Sequence, residues 1–207
     1  KHNFLVDLGM YQGEKNQSKN LEFDYSKIDF VILTHAHIDH IGKIPLLFKN
    51  GFNGKIYCSY ETKYLSEILL KDSAEIQESE TSKENEQREK IGLPAKKPLY
   101  NLEDVQKSLS FFYPIDFEKE INLDNIKFKL KKSNHILGSA SIDLKVNNKS
   151  ILFSGDLGTR NNNLYPEIKS FEKNYDYLIL ESTYGNDTHP NKTVRRKNLK
   201  NLLLKIS

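Results

Sequence analysis

The chain has 207 residues, with 31 Lys and Arg against 28 Asp and Glu, for a formal net charge of +3. A hydrophobic content of 37% suffices for a packed core. A mean hydropathy of −0.63 and the lack of any apolar run near the ~20 residues that cross a bilayer exclude a membrane-spanning helix within these residues. The single cysteine, Cys58, excludes an internal disulfide, and its place after Gly54-Lys55-Ile56-Tyr57 predicts a buried structural thiol.

In chain order, a first strand ends in Asp7. Phe30-Val31-Ile32-Leu33 reads as a buried strand, and residues 41–48 as a short helix. Another strand is predicted at 54–59. A long polar insertion follows, helical through much of 61–92 and broken by Pro94 and Pro98. Asn101 is placed as the N-cap of a helix over 102–110, with Asp104 at its third position. Strands resume at 126–131, 142–146 and 150–153, with Asn147-Asn148 suited to the turn between the last two. Residues 177–181 read as a strand. Residues 191–207 form a helix carrying Lys192, Arg195, Arg196, Lys197, Lys200 and Lys205 without an acid, and Leu199, Leu202, Leu203 and Ile206 fall at helical spacing. That basic face is either ordinary solvated surface or a surface turned toward phosphates. The pattern as a whole says mixed α and β.

The densest chemistry lies in Thr34-His35-Ala36-His37-Ile38-Asp39-His40, which holds three of the six histidines. Imidazole and carboxylate are ligands that borderline divalent metals accept. On extended chain, His35 and His37 point the same way. Asp39 and His40 open the following helix and point toward a second position. One short segment could therefore serve two adjacent metals.

This segment resembles the His-x-His-x-Asp-His signature of the metallo-β-lactamase superfamily, and further blocks follow in that family's order. Phe4-Leu5-Val6-Asp7-Leu8-Gly9 resembles its first motif, Asn134-His135-Ile136-Leu137-Gly138-Ser139-Ala140 its third, and Phe153-Ser154-Gly155-Asp156-Leu157-Gly158 its fourth. Leu180-Glu181-Ser182-Thr183-Tyr184-Gly185, with His189 shortly after, resembles motif A of the β-CASP subgroup, which acts on nucleic acids. Together with the His-Ile-Leu-Gly-Ser-Ala block, it points to a resemblance to relatives of the mRNA 3′-end cleavage endonuclease and their bacterial ribonuclease counterparts.

The resemblance implies an αββα sandwich, incomplete, with residues 1–185 as the metallo-β-lactamase domain lacking its first strands and 186–207 as the beginning of a β-CASP cap. It implies that His35, His37 and His135 hold one zinc ion, Asp39 and His40 a second, and Asp156 bridges the two. Asp39 and Glu181 are the implied catalytic carboxylates, and Asp7 orients the second motif from outside the ligand set. His2 has no motif partner and is expected to be an exposed terminal residue; His189 receives no ligand role. The family's motif B and C histidines have no counterpart after His189, so the chain is expected to be a fragment cut at both ends and inactive by itself.

The expected activity is metal-dependent hydrolysis of RNA, endonucleolytic or 5′-exonucleolytic, through a hydroxide activated by two zinc ions. Single-stranded RNA, a homodimer and a cytoplasmic location complete the expectation, with no membrane association. Two other readings stay open. One is a non-catalytic scaffold in RNA processing, which an intact ligand set disfavours. The other is a small-molecule metallo-hydrolase of the same superfamily, which the Glu-Ser-Thr-Tyr-Gly block disfavours. Nothing in the sequence reads a 2′-hydroxyl, so DNA stays open beside RNA.

Overall fold

The computed structural model describes residues 2–11, 24–158, 174–188 and 190–206. Four short strands, β1 (Phe4–Val6), β2 (Phe30–Ile32), β3 (Lys55–Cys58) and β4 (Phe112–Pro114), form an all-parallel sheet in that order. Parallel neighbours need crossovers, and helices supply them. Helices α1 (Ile38–Ile41) and α2 (Ile44–Lys49) join β2 to β3, while α3 (Tyr60–Lys90) and α4 (Leu102–Leu109) join β3 to β4. The second sheet runs β5 (Ile121–Leu123), β6 (Ile126–Lys132), β7 (Ala140–Val146), β8 (Lys149–Phe153) and β9 (Tyr177–Ile179). It is antiparallel from β5 to β8, and β9 pairs parallel to β8.

Two cores explain the sequence pattern. Between the sheets, Phe30, Ile32 and Tyr57 meet Phe128, Leu130, Ile142 and Leu144. Phe30 stacks on Phe4 with ring centroids 5.1 Å apart, and Tyr57 meets Phe128 edge-on at 5.2 Å. On the other face of the first sheet, Val31, Leu33, Ile56 and Cys58 pack against Leu47, Leu70, Ala74 and Val105 from the helices. β2 is thus covered on both sides, which is why it reads as an unbroken apolar run instead of alternating. Cys58 is fully buried, and burial pushes its thiol up to about 12, so it is a structural side chain.

Most predicted elements appear. Asn101 accepts from the Asp104 amide, and the Asp104 carboxylate accepts from the Asn101 amide, a reciprocal cap. Three differences have physical causes. The helix expected over 41–48 is split into α1 and α2, because Pro45 in the first turn of α2 has no N–H and cannot continue a helix from Ile41. β4 and β5 were not predicted: three residues are too few to show alternation. His2 is not free at the surface. Its Nε2 lies 2.8 Å from Asp124 and its ring packs against Phe30.

The ends of the strands share one edge of the sandwich. Asp7, Thr34 and Ser59 follow β1, β2 and β3. In the antiparallel sheet, the end of β6, the start of β7 and the end of β8 fall at that same edge. The Ala140 amide donates to the Thr34 carbonyl at 2.8 Å and ties the two sheets together there. α5 (Lys192–Ile206) carries the predicted basic face, and none of its described residues is buried. No described helix is long and apolar enough to cross a membrane.

Candidate metal centre

Four side chains from three segments converge at this edge. His35 Nε2 lies 3.0 Å from His37 Nδ1, and His135 Nε2 lies 3.1 Å from that same nitrogen. Asp156 Oδ2 is 3.3 Å from His135 Nε2 and 3.8 Å from His35 Nε2. One ligand atom from each of the four lies within 4.8 Å of every other. A tetrahedral zinc ion with bonds of 2.0–2.1 Å holds its ligand atoms roughly 3.3 Å apart, so the donor set and its spacing fit such an ion.

Asp156 turns its other oxygen away from this group. Oδ1 lies 3.4 Å from His40 Nε2, which is 3.8 Å from Asp39 Oδ2. All six residues singled out by the sequence therefore meet at one place. Asp39 and His40 do not join the convergent four; they stand beside it and share Asp156.

The protonation states of His35 and His37 suit cation binding. Burial, then the neighbouring His40, His37 and His135, pushes the His35 pKa down to about 2. Burial and His135 lower that of His37 as well. Both imidazoles are thus held neutral, with a lone pair to offer. Burial opposes charge on His40, but its hydrogen bond to Asp7 and the charges of Asp7, Asp156 and Asp39 outweigh it and raise its pKa.

Each segment is held by specific contacts. Asp7 adopts a left-handed backbone (φ 58°), a conformation Asp tolerates, just after β1. Its carboxylate accepts from the Thr34 amide at 2.7 Å, from the Thr34 hydroxyl at 2.6 Å and from His40 Nδ1 at 2.8 Å. A Cβ on Gly9 would overlap the Asp39 carbonyl, so only glycine lets β1 run this close to the start of α1. The His135 amide donates to Ser139 Oγ at 2.9 Å. Gly155 has φ 55°, and a Cβ there would sit 2.8 Å from the Ala140 carbonyl and 2.9 Å from Thr34 Cβ.

Glu181 does not join the ligand cluster. Its carboxylate accepts from the Leu157 amide at 2.6 Å, and its own amide donates to Ser154 Oγ at 2.9 Å, which braces the loop that carries Asp156. His189 lies outside the described residues. Sequence reasoning missed Thr34 and Ser139 as parts of the site. Both were inside quoted motifs, but a hydroxyl beside a ligand carries no spacing signal of its own.

The sequence profile of the metallo-β-lactamase superfamily matches residues 1–206. This chain belongs to that superfamily. Among curated relatives, it is 30% identical over 188 residues to "Ribonuclease TTHA0252" of Thermus thermophilus, covering 89% of this chain and 39% of the relative. It is 32% identical over 195 residues to "Probable RNase MJ4" of Methanocaldococcus jannaschii, covering 93% and 42%. It is 28% identical over 208 residues to "Endoribonuclease YSH1" of Candida glabrata, covering 96% and 25%. The chain thus spans less than half the length of each of these relatives. The β-CASP resemblance of Glu181 to Gly185 agrees with their names, and a metal cofactor agrees with both the superfamily and the His/Asp cluster.

Proposed function

We propose that this chain supplies the metal-binding edge of a ribonuclease that hydrolyses phosphodiester bonds with two zinc ions. The observation that carries the reading is Asp156, whose Oδ2 lies 3.3 Å from His135 in the histidine cluster while its Oδ1 lies 3.4 Å from His40, the single imidazole on the other side. His35, His37, His135 and Asp156 would hold one ion; Asp39, His40 and Asp156 would hold the other. Three imidazoles and a carboxylate as the donor set favour zinc over the oxygen-loving magnesium or calcium. A bound pair of this kind supplies water activation and neutralises charge on the phosphate.

The chain's own residues then divide the work. Asp39, at the opening of α1, accepts the proton of the attacking water. Asp7 holds His40 and the second motif in register. Glu181 keeps the loop of Asp156 in place through the Leu157 amide. RNA as substrate is supported by the names of the relatives; single-stranded RNA gives the phosphodiester access to a site at the sandwich edge. Residues 1–185 then form the metallo-β-lactamase domain, and residues 186–207 begin the cap, a division supported by α5 having no buried residue among those described. A cytoplasmic setting, supported by the buried lone thiol, and a homodimer belong to the same reading.

The test is a zinc titration beside an RNA cleavage assay. Two zinc ions per chain and cleavage abolished by a chelator are expected. Chelator-resistant cleavage in a zinc-free preparation would overturn the reading.

A further inference from the structure

Thr34 stands at the junction of the two ligand groups. It is almost fully buried, at 1% exposure, and its hydroxyl lies 2.6 Å from Asp7 Oδ2 and 3.0 Å from His35 Nδ1. We propose that Thr34 is a positioning residue that, together with Asp7, fixes the tautomers of His35 and His40 so that both turn an unprotonated Nε2 toward the metals; this rests on the ligand reading given under Proposed function.

The argument is a count of hydrogens. Asp7 as a carboxylate can only accept. Its Oδ1 takes the Thr34 amide and its Oδ2 takes the Thr34 hydroxyl and His40 Nδ1. A hydroxyl has one hydrogen. Once that hydrogen points at Asp7, the oxygen can only accept from the nitrogen on its other side, so His35 Nδ1 carries a hydrogen. His35 Nε2 then keeps its lone pair, 3.0 Å from His37 Nδ1 and 3.8 Å from Asp156. His40 follows the same rule. Its Nδ1 donates to Asp7 at 2.8 Å, in preference to the Thr34 hydroxyl at 3.4 Å, and its Nε2 faces Asp156. The opposite arrangement, with the hydroxyl donating to His35, would leave two oxygens 2.6 Å apart with no hydrogen between them. One carboxylate thus reaches a ligand in each group, directly for His40 and through a hydroxyl relay for His35. Outer partners that set a ligand's tautomer are worth roughly 10–100-fold in metal affinity.

Valine has the shape of threonine without the hydroxyl. In Thr34→Val, the His35 Nδ1 hydrogen would lose its acceptor in a buried place, and the hydrogen would move to Nε2, where His37 Nδ1, 3.0 Å away, can accept it. That removes the lone pair from the metal side. The measurement is nitrogen-15 NMR of the histidine rings in the chelator-treated chain, beside zinc titration by calorimetry. We expect the Nδ1–H tautomer for His35, and a hydrogen on Nδ1 of His40, in the unaltered chain. In Thr34→Val, His35 should change to Nε2–H and zinc affinity should fall about 10–100-fold. Thr34→Ser should restore both. An unchanged His35 tautomer in Thr34→Val overturns the proposal, as does equal weakening by Val and Ser, which would show a packing role. A chain that binds no zinc at all would instead overturn the ligand reading, while the tautomers, read without metal, still decide the role of Thr34.

Discussion

The two halves of the metal centre differ in how fully the described residues furnish them. On one side, His35, His37, His135 and Asp156 bring four donor atoms together from the ends of β2, β6 and β8. On the other, Asp39 and His40 come from a single helix opening and depend on the second oxygen of Asp156. Burial and mutual repulsion keep the first group's His35 and His37 neutral, whereas three carboxylates draw a proton toward His40. On the proposed two-ion reading, one motif feeds two sites of unequal strength, and the histidines that converge with partners distant in sequence make the stronger one. The first site should therefore fill before the second.

The largest effect is expected where the halves meet. On the proposed two-ion reading, Asp156→Ala removes a ligand from both groups and leaves the two cations without the carboxylate between them. Zinc stoichiometry should drop from two to at most one and RNA cleavage to background, as read by metal analysis and a gel assay. Two tightly held ions in Asp156→Ala would dissolve the comparison. Asp7→Asn should act on the weaker side, because it disturbs the acceptor of His40 Nδ1. A loss of about 10–100-fold in affinity for the second ion, with a smaller loss for the first, is expected from stepwise calorimetry.

Acidification should separate the sites without mutation. Protons compete with metals for imidazole lone pairs. His40, with a raised pKa, protonates first as the pH falls, whereas His35, at about 2, and His37, with a lowered pKa, stay neutral. The second ion should therefore leave at a higher pH than the first, its affinity falling about tenfold per unit once His40 titrates. Simultaneous release of both ions across a pH series would contradict this ordering. The smallest effect belongs to Glu181→Ala, which deletes one acceptor for the Leu157 amide at a cost of about 1 kcal/mol, or roughly fivefold in zinc affinity. Glu181→Gln keeps an acceptor and should restore binding; a catalytic role for the charge would appear as a loss of cleavage in Glu181→Gln with zinc binding intact.

Much of this protein was determined locally and could be read from the chain. The apolar run 30–33, buried on both faces, contains β2; Asn101 and Asp104 cap α4 through contacts three residues apart; and His35, His37, Asp39 and His40 take their directions from an extended segment entering a helix. These features depend on neighbours within a turn or two, so spacing reveals them. Assigning His135 and Asp156 to the same centre needed the family resemblance, since spacing alone says nothing about residues about a hundred positions away. Only the tertiary structure decided the rest. The pairing of His2 with Asp124, the reach of Glu181 to the Leu157 amide and the Asp7–Thr34–His35 relay all join segments far apart in sequence, or turn on which way a single hydroxyl points. The same holds for the brief strands β4 and β5, whose three residues are held by parallel or antiparallel partners and not by their own propensity. Ladder partners and buried hydrogen bonds exist only once the two sheets have closed on each other, and that closure is what turns a histidine-rich segment into a site with two unequal halves.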